Sequence, residues 1–177
     1  MHKRILSETA IYHDELPSIS HVDNNKIKNS ILSDFANFKA SDDNRYKDIR
    51  VGMHQHITWI MDYMRDHVRG EYGFTLIPIS IFAQVHSKGE TVIKRNHINP
   101  YDIHNSPDFT FMYFVDADDN NLVIEWEDHR DKGRFWTIPV KTGKFVMWNS
   151  DLNYYMLPNK KNSFRIALLF NCQIIWT

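Results

Sequence analysis

The sequence predicts a mainly β protein of the sandwich or jelly-roll class, with two helices in its N-terminal part. Aromatic residues make up 14% of the chain, and such side chains pack well on half-buried pleated sheets. From Phe74 onward, strand-like runs alternate with clusters of Gly, Asn, Asp and Pro. The runs cover residues 74–86, 91–97, 109–115, 122–127, 135–140, 144–148 and 164–175. About seven or eight short strands at this spacing indicate two facing antiparallel sheets.

The N-terminal part carries two helical patterns after a short strand and an extended tail over residues 5–19. Asp23 suits the N-cap of the first helix. Four apolar residues recur after it at helical spacing, namely Ile27, Ile31, Phe35 and Phe38. Residues 41–48 are polar and charged, which favours a loop. A second helix is predicted over residues 52–68, with Gly70 as its C-terminal stop. Each helix should pack one apolar face on a sheet.

The last predicted strand has two different faces. Its bulky residues, Phe164, Ile166, Leu168 and Phe170, alternate with smaller or more polar residues around Arg165. The bulky face should lie under the helices, so the face that carries Arg165 should look into the barrel. A buried guanidinium is costly unless an anion or a carboxylate meets it. Arg165 therefore either binds a ligand anion or lies near the rim, paired with an Asp.

Length, charge and hydropathy restrict the functions to consider. The chain has 177 residues, the size of one domain, and we expect residues 1–177 to form that domain. The formal net charge of −1 argues against a nucleic-acid-binding protein, which needs many phosphate contacts. The N-terminus is too polar for a signal peptide and no apolar run could span a membrane, so a cytoplasmic protein is expected. The lone Cys172 should be a buried, inert thiol.

Several short motifs in the C-terminal half occur in the order and spacing of a known family. The series consists of residues 88–90 (KGE), 97–100 (HINP), 143–150 (GKFVMWNS), Tyr154, 158–159 (PN) and 164–171 (FRIALLFN). This series resembles the signature of the iron(II) and 2-oxoglutarate dependent oxygenases, in a branch similar to the prolyl hydroxylases. The resemblance runs from Phe74 to Asn171. It implies a double-stranded β-helix, the jelly roll shared with cupins, with the two helices packed outside.

The resemblance also implies cofactors and site residues. Members of the family bind iron(II) through two His and a carboxylate, or through three His, and they bind 2-oxoglutarate beside the metal. The three metal positions fall on His97, Asn99 and Tyr154 of this chain. The clamp for the 2-oxoglutarate carboxylate falls on Arg165. An amide oxygen and a protonated phenol are weak iron donors, so the resemblance predicts poor iron(II) binding.

Three functional hypotheses follow. A rearranged metal set with Asp102 and His104, which lie on the same loop as His97, would support an active hydroxylase. The second hypothesis is a non-catalytic binding or structural module that keeps Arg165 as a site for small dicarboxylates. The third is a cupin-like small-molecule binder, which would require His or Glu clusters that the sequence does not offer. The substrate stays open and could be a protein, whereas nucleic acids and membranes are not expected partners.

Three Trp residues on predicted strands have two interpretations. Trp126, Trp136 and Trp148 could line a substrate pocket or fill the core. Trp in strands more often packs in a core, so core packing is the favoured interpretation.

Overall fold

The structure is a computed structural model that describes residues 9–17, 21–37, 48–118, 120–127 and 133–176. In chain order its elements are β1 (Ile11–Glu15), α1 (Asn24–Asn37), β2 (Asp48–Arg50), α2 (Gln55–Tyr72), β3 (Phe74–His86), β4 (Val92–Arg95), a 3-10 helix (Ile103–Asn105), β5 (Phe109–Asp116), β6 (Asn120–Glu127), β7 (Gly133–Val140), β8 (Lys144–Asn149), β9 (Asn153–Met156) and β10 (Arg165–Trp176).

The described strands form two sheets. One has the order β1-β8-β5-β10-β3-β2, and the other has the order β4-β9-β6-β7. Every pairing between these strands is antiparallel. The predicted mainly β architecture, with two antiparallel sheets and helices outside, is therefore confirmed.

β10 lies in the middle of the six-stranded sheet, between β5 and β3. Its side chains alternate between two apolar cores because successive residues of a strand point to opposite faces. Ile166, Leu168 and Phe170 belong to the core that also contains the helices. Ala167 and Leu169 belong to the core between the two sheets. The two faces of this strand are those that the sequence predicts.

The first helix begins as predicted. Oδ1 of Asp23 accepts hydrogen bonds from the backbone N–H groups of Asn25 and Lys26, at 3.0 and 3.2 Å. These bonds satisfy donors that a helix N-terminus leaves without partners. Ile27 and Ile31 are fully buried against the six-stranded sheet, and Phe38 lies outside the described residues.

The second helix also has the expected apolar stripe, but it ends later than predicted. Its buried residues are Ile57, Ile60, Met61, Met64 and Val68. The prediction that Gly70 ends the helix is wrong, because α2 continues to Tyr72. Gly73 adopts a left-handed φ of 74° and donates its N–H to the Arg69 carbonyl. That conformation suits glycine, so Gly73 and not Gly70 terminates the helix.

Two short strands and one strand end were not predicted. β2 has three residues and β9 has four, which is too short for alternation to be recognised in the sequence. Asp48, the first residue of β2, falls at the end of the predicted 41–48 loop, whose other residues lie outside the described ones. β4 ends at Arg95, two residues before the predicted end of that run. Among the described helices, none is long and apolar enough to cross a membrane.

Candidate functional site

An ion pair joins the edges of the two sheets on one side of the barrel. β2 and β4 are outer strands of the six-stranded and four-stranded sheets. Asp48 on β2 accepts hydrogen bonds from Nη1 and Nη2 of Arg95 on β4, at 2.5 and 2.8 Å. Gln84 Nε2 donates a further bond to Asp48, at 3.0 Å. The side chains of Arg95 and Asp48 are only 8% and 17% exposed. We call this bidentate, largely desolvated junction the closed seam.

Tyr154 connects the closed seam to His97. Its hydroxyl oxygen lies 2.8 Å from Arg95 Nε and 3.0 Å from His97 Nε2. Arg95 can only donate, so the Tyr154 oxygen accepts from Arg95 and its proton can be donated to the imidazole. Tyr154 is fully buried, and this burial raises the pKa of its phenol to about 12. The hydroxyl is therefore protonated at neutral pH.

His97 is held on both sides of its ring. Nδ1 lies 3.4 Å from Asn171 Nδ2, and this amide nitrogen donates to Ser80 Oγ at 3.1 Å. The backbone N–H of His97 donates to the Ser150 carbonyl at 3.0 Å. Burial, followed by the positive charge of Arg95, lowers the pKa of His97 to about 3. The imidazole is therefore neutral across the physiological range.

Asn99 does not join this cluster. Its side chain is exposed, and its Oδ1 accepts the backbone N–H of Tyr101 at 3.0 Å. The expectation that His97 and Asn99 share a strand face is wrong because β4 ends at Arg95, so strand alternation does not extend to residue 99. Asn99 instead forms a local turn, and its own N–H donates to Ser106 Oγ at 2.8 Å.

The alternative ligands lie on the same exposed loop as Asn99. Both carboxylate oxygens of Asp102 accept from Asn105 Nδ2, at 3.0 and 2.8 Å. His104 is exposed on the 3-10 helix. Within the part of the chain that the structure describes, no three His, Cys, Asp or Glu side chains are grouped so that they could hold a metal ion.

The residues matched to the iron ligands do not fit iron(II). Nε2 of His97 faces the Tyr154 hydroxyl, and the Arg95 guanidinium bonds to the same oxygen. A metal dication beside these groups would meet a fixed positive charge at short range, which is strongly unfavourable in a poorly solvated interior. Asp48, the carboxylate of this cluster, is already bound by Arg95 through both of its oxygens.

Arg165 occupies a separate part of the barrel interior. It is 1% exposed, and its Nη1 donates to Asn120 Oδ1 at 3.0 Å and to the Leu157 carbonyl at 2.6 Å. Its Nη2 is buried and has no hydrogen-bond partner among the residues that the structure describes. Burial lowers the pKa of Arg165 to about 10, although Glu90 opposes this effect. A buried, protonated guanidinium with a free donor fits a carboxylate.

The three Trp residues differ in burial. Trp148 is fully buried, and its ring centroid lies 5.0 Å from that of Tyr154. Trp126 is half-buried, whereas Trp136 is 59% exposed. The core interpretation is therefore right for Trp148 and wrong for Trp136. Trp136 lies on β7, the outer strand of the described four-stranded sheet.

A second junction between the sheets lies where the outer strands β1 and β7 face each other. A cavity of about 280 Å³ separates them there, and we call it the open seam. It is lined by Thr9, Ile11, His13, Trp126, Trp136 and Ile138. The lining is mainly apolar, in contrast to the charged closed seam.

Sequence reasoning missed Arg95 and Asp48, the two residues that define the closed seam. Arg95 pairs with Tyr154 after a register irregularity that follows Val92, so alternation counted from the buried Val92 would have placed it on the opposite face. Asp48 gives no signal either, because it follows a polar segment and begins a strand of only three residues.

Comparisons with known proteins identify the fold. Neither a protein-family model nor a curated protein matches the chain. The carbocyclase SnoK from nogalamycin biosynthesis, a non-heme α-ketoglutarate dependent enzyme, superposes with a TM-score of 0.67 at 10% identity, over 93% of this chain and 80% of its own.

Two prolyl hydroxylases are also similar. The prolyl-4-hydroxylase of Pseudomonas putida gives a TM-score of 0.62 at 10% identity, over 92% of each chain. The viral collagen prolyl hydroxylase of Paramecium bursaria Chlorella virus-1 gives 0.57 at 11% identity, over 92% of this chain and 96% of its own. With the two antiparallel sheets described above, these matches show that the chain has the double-stranded β-helix fold of the iron(II) and 2-oxoglutarate dependent oxygenases.

Proposed function

We propose that this protein is a non-catalytic relative of the 2-oxoglutarate oxygenases that binds a small carboxylate at Arg165 and does not hold iron(II). The observation that carries the proposal is the contact of Tyr154 with both Arg95 and His97, at 2.8 and 3.0 Å. His97 is the conventional metal ligand among the three matched residues. This contact directs its Nε2 toward the protonated Tyr154 hydroxyl, which lies beside the Arg95 guanidinium. The alternative of an active hydroxylase requires a metal set around Asp102 and His104, and both side chains face the exterior of the barrel in an exposed loop.

The free donor of Arg165 supports the binding part of the proposal. Leaving a buried charged donor without a partner costs free energy, and an entering carboxylate would remove that cost. Asn120 and Leu157 fix Nη1 of the guanidinium, so Nη2 is held in place for a ligand. Leu122 and Met156, which lie close in sequence to Asn120 and Leu157, are almost fully buried. This close packing favours short carboxylates and dicarboxylates over bulky ones.

Calorimetry with acetate, succinate and 2-oxoglutarate tests the proposed site. Wild-type protein should bind at least one of these ions, and Arg165→Met, which keeps most of the side-chain volume, should weaken binding by about tenfold to a hundredfold. Arg134→Ala is the matched control, because Arg134 is exposed on β7 and its loss should leave the affinity unchanged. Equal affinities in the wild type and a folded Arg165→Met variant would show that Arg165 is not the carboxylate site.

A further inference from the structure

We propose that the open seam is a carbohydrate-binding site that holds one sugar ring against Trp126 and Trp136. The open seam lies between β1 and β7, at the opposite ends of the two sheets from the closed seam. Neither Arg165 nor the residues matched to the metal ligands line it. The inference is therefore independent of the proposed function.

The open seam is closed at one end and continues at the other. The chain passes from β7 to β8 at the closed end, where Lys141 pairs with Glu15, the last residue of β1, at 2.8 Å. At the other end, Thr9 and Trp126 line both the open seam and a neighbouring cavity of about 550 Å³, which we call the polar vestibule. The two cavities therefore form one groove with a blind end.

Aromatic and aliphatic side chains form most of the wall at the blind end. Trp126 and Trp136 come from the neighbouring strands β6 and β7, and Ile11 and Ile138 complete the apolar part. Trp136 is 59% exposed, so a large ring that lines a concave site remains in contact with water. A ligand that covers this ring would gain the free energy of burying it.

The volume of the blind end suits a single ring. Its 280 Å³ lies just below the range of roughly 300–1,000 Å³ that is usual for ligand pockets. A pyranose presents C–H groups on the faces of its ring, and the negative face of an indole attracts such weakly positive groups. A sugar ring stacked on Trp136 in this way keeps its hydroxyl groups available for Thr9, His13 and the polar vestibule.

The polar vestibule favours a neutral ligand rich in hydroxyl groups. Its lining includes the cation Lys94, the carboxylates of Glu127 and Asp151, and the amide of Asn153. A ligand that carries a charge of either sign would meet a like charge there. Hydroxyl groups both donate and accept hydrogen bonds, so they can pair with ammonium, carboxylate and amide groups alike. An apolar ring face combined with many hydroxyl groups is the chemistry of a sugar.

Saturation-transfer NMR and tryptophan fluorescence test the site with four probes, namely methyl β-D-glucopyranoside, methyl β-D-galactopyranoside, N-acetylglucosamine and cellobiose. Wild-type protein should bind at least one of them. We expect a dissociation constant of about 1 mM for a single ring of this size. Indole and benzyltrimethylammonium are the comparison probes, because a cavity lined by Trp could also take an aromatic ring or an organic cation.

Substitutions at the open seam locate the binding. Trp136→Ala should weaken binding of the sugar at least about tenfold, whereas Trp136→Phe keeps an aromatic ring and should bind within about threefold of the wild type. His13→Ala removes a polar group from the same wall and should weaken binding about threefold to tenfold. Tyr101→Ala is the matched control, since this aromatic side chain is 96% exposed and lines neither cavity. Its loss should leave the affinity unchanged.

Three results would overturn the inference. The first is that none of the four sugars binds at concentrations up to about 50 mM. The second is that a sugar binds, but folded Trp136→Ala and His13→Ala variants bind it as tightly as the wild type. The third is that indole or benzyltrimethylammonium binds at Trp136 and the sugars do not. All three leave the carboxylate proposal intact, because Arg165 is tested with other ligands and another variant.

Discussion

The closed seam and the open seam are both junctions between an outer strand of one sheet and an outer strand of the other, but their contacts differ. At the closed seam, Asp48 and Arg95 join β2 to β4 through a bidentate ion pair that is mostly removed from water. At the open seam, β1 and β7 are separated by a cavity of about 280 Å³ whose wall includes Trp126 and Trp136.

This difference predicts at which junction the loss of a single residue costs more stability. A desolvated ion pair is sensitive to the loss of either partner, because the remaining charge stays buried. An exposed apolar wall tolerates substitution, since a side chain that already contacts water loses little on removal. Stability should therefore depend on Asp48 and Arg95 at the closed seam, whereas the exposed Trp136 at the open seam should contribute little to it.

The largest expected effect is that of Asp48→Ala. This change leaves the Arg95 guanidinium buried without its carboxylate, and it should lower the free energy of unfolding by about 3 kcal/mol. Urea denaturation followed by circular dichroism measures this quantity.

Lys94 provides the matched control on the same strand. Lys94 is next to Arg95, but its side chain is 54% exposed and pairs with Glu125 at the surface. Lys94→Ala should cost less than about 1 kcal/mol. Similar costs for Asp48→Ala and Lys94→Ala would contradict the view that the closed seam is a buried, stabilising junction.

The smallest expected effect is that of Trp136→Ala at the open seam. Trp136 is 59% exposed, so its removal should change the free energy of unfolding by less than about 1 kcal/mol. Trp148→Ala, by contrast, removes a fully buried ring and should cost about 3 to 5 kcal/mol. The same urea experiment compares the two, and a cost for Trp136 as large as that for Trp148 would mean that the open seam is part of the core.

The fold could be predicted because its main signals are local. The alternation in β10 is visible in eight consecutive residues, 164–171, and it predicts which face meets the helices. The apolar stripe of α2 and the cap at Asp23 are also readable from spacing alone. The short strands β2 and β9 were missed, and the end of α2 was misplaced at Gly70, because the glycine in the left-handed conformation lies three positions later.

The site was only partly predictable because its contacts join residues that are far apart in the sequence. The resemblance selects His97 and Tyr154, and the two side chains lie 3.0 Å apart. Asp48 and Arg95 are separated by 47 positions, and nothing in the sequence near Asp48 indicates that its short strand closes the barrel beside β4. Asn99 was misplaced for a simpler reason, since the strand ends at Arg95 and the alternation ends with it.

Anaerobic titration of wild-type protein with iron(II), followed by addition of 2-oxoglutarate and oxygen, tests the central claim most directly. The contact of Tyr154 with Arg95 and His97 leaves no vacant metal position in the closed seam, so we expect no saturable stoichiometric binding of iron and no succinate formation. Stoichiometric iron binding together with conversion of 2-oxoglutarate to succinate would contradict the claim, and would require a ligand set other than the one around Arg95.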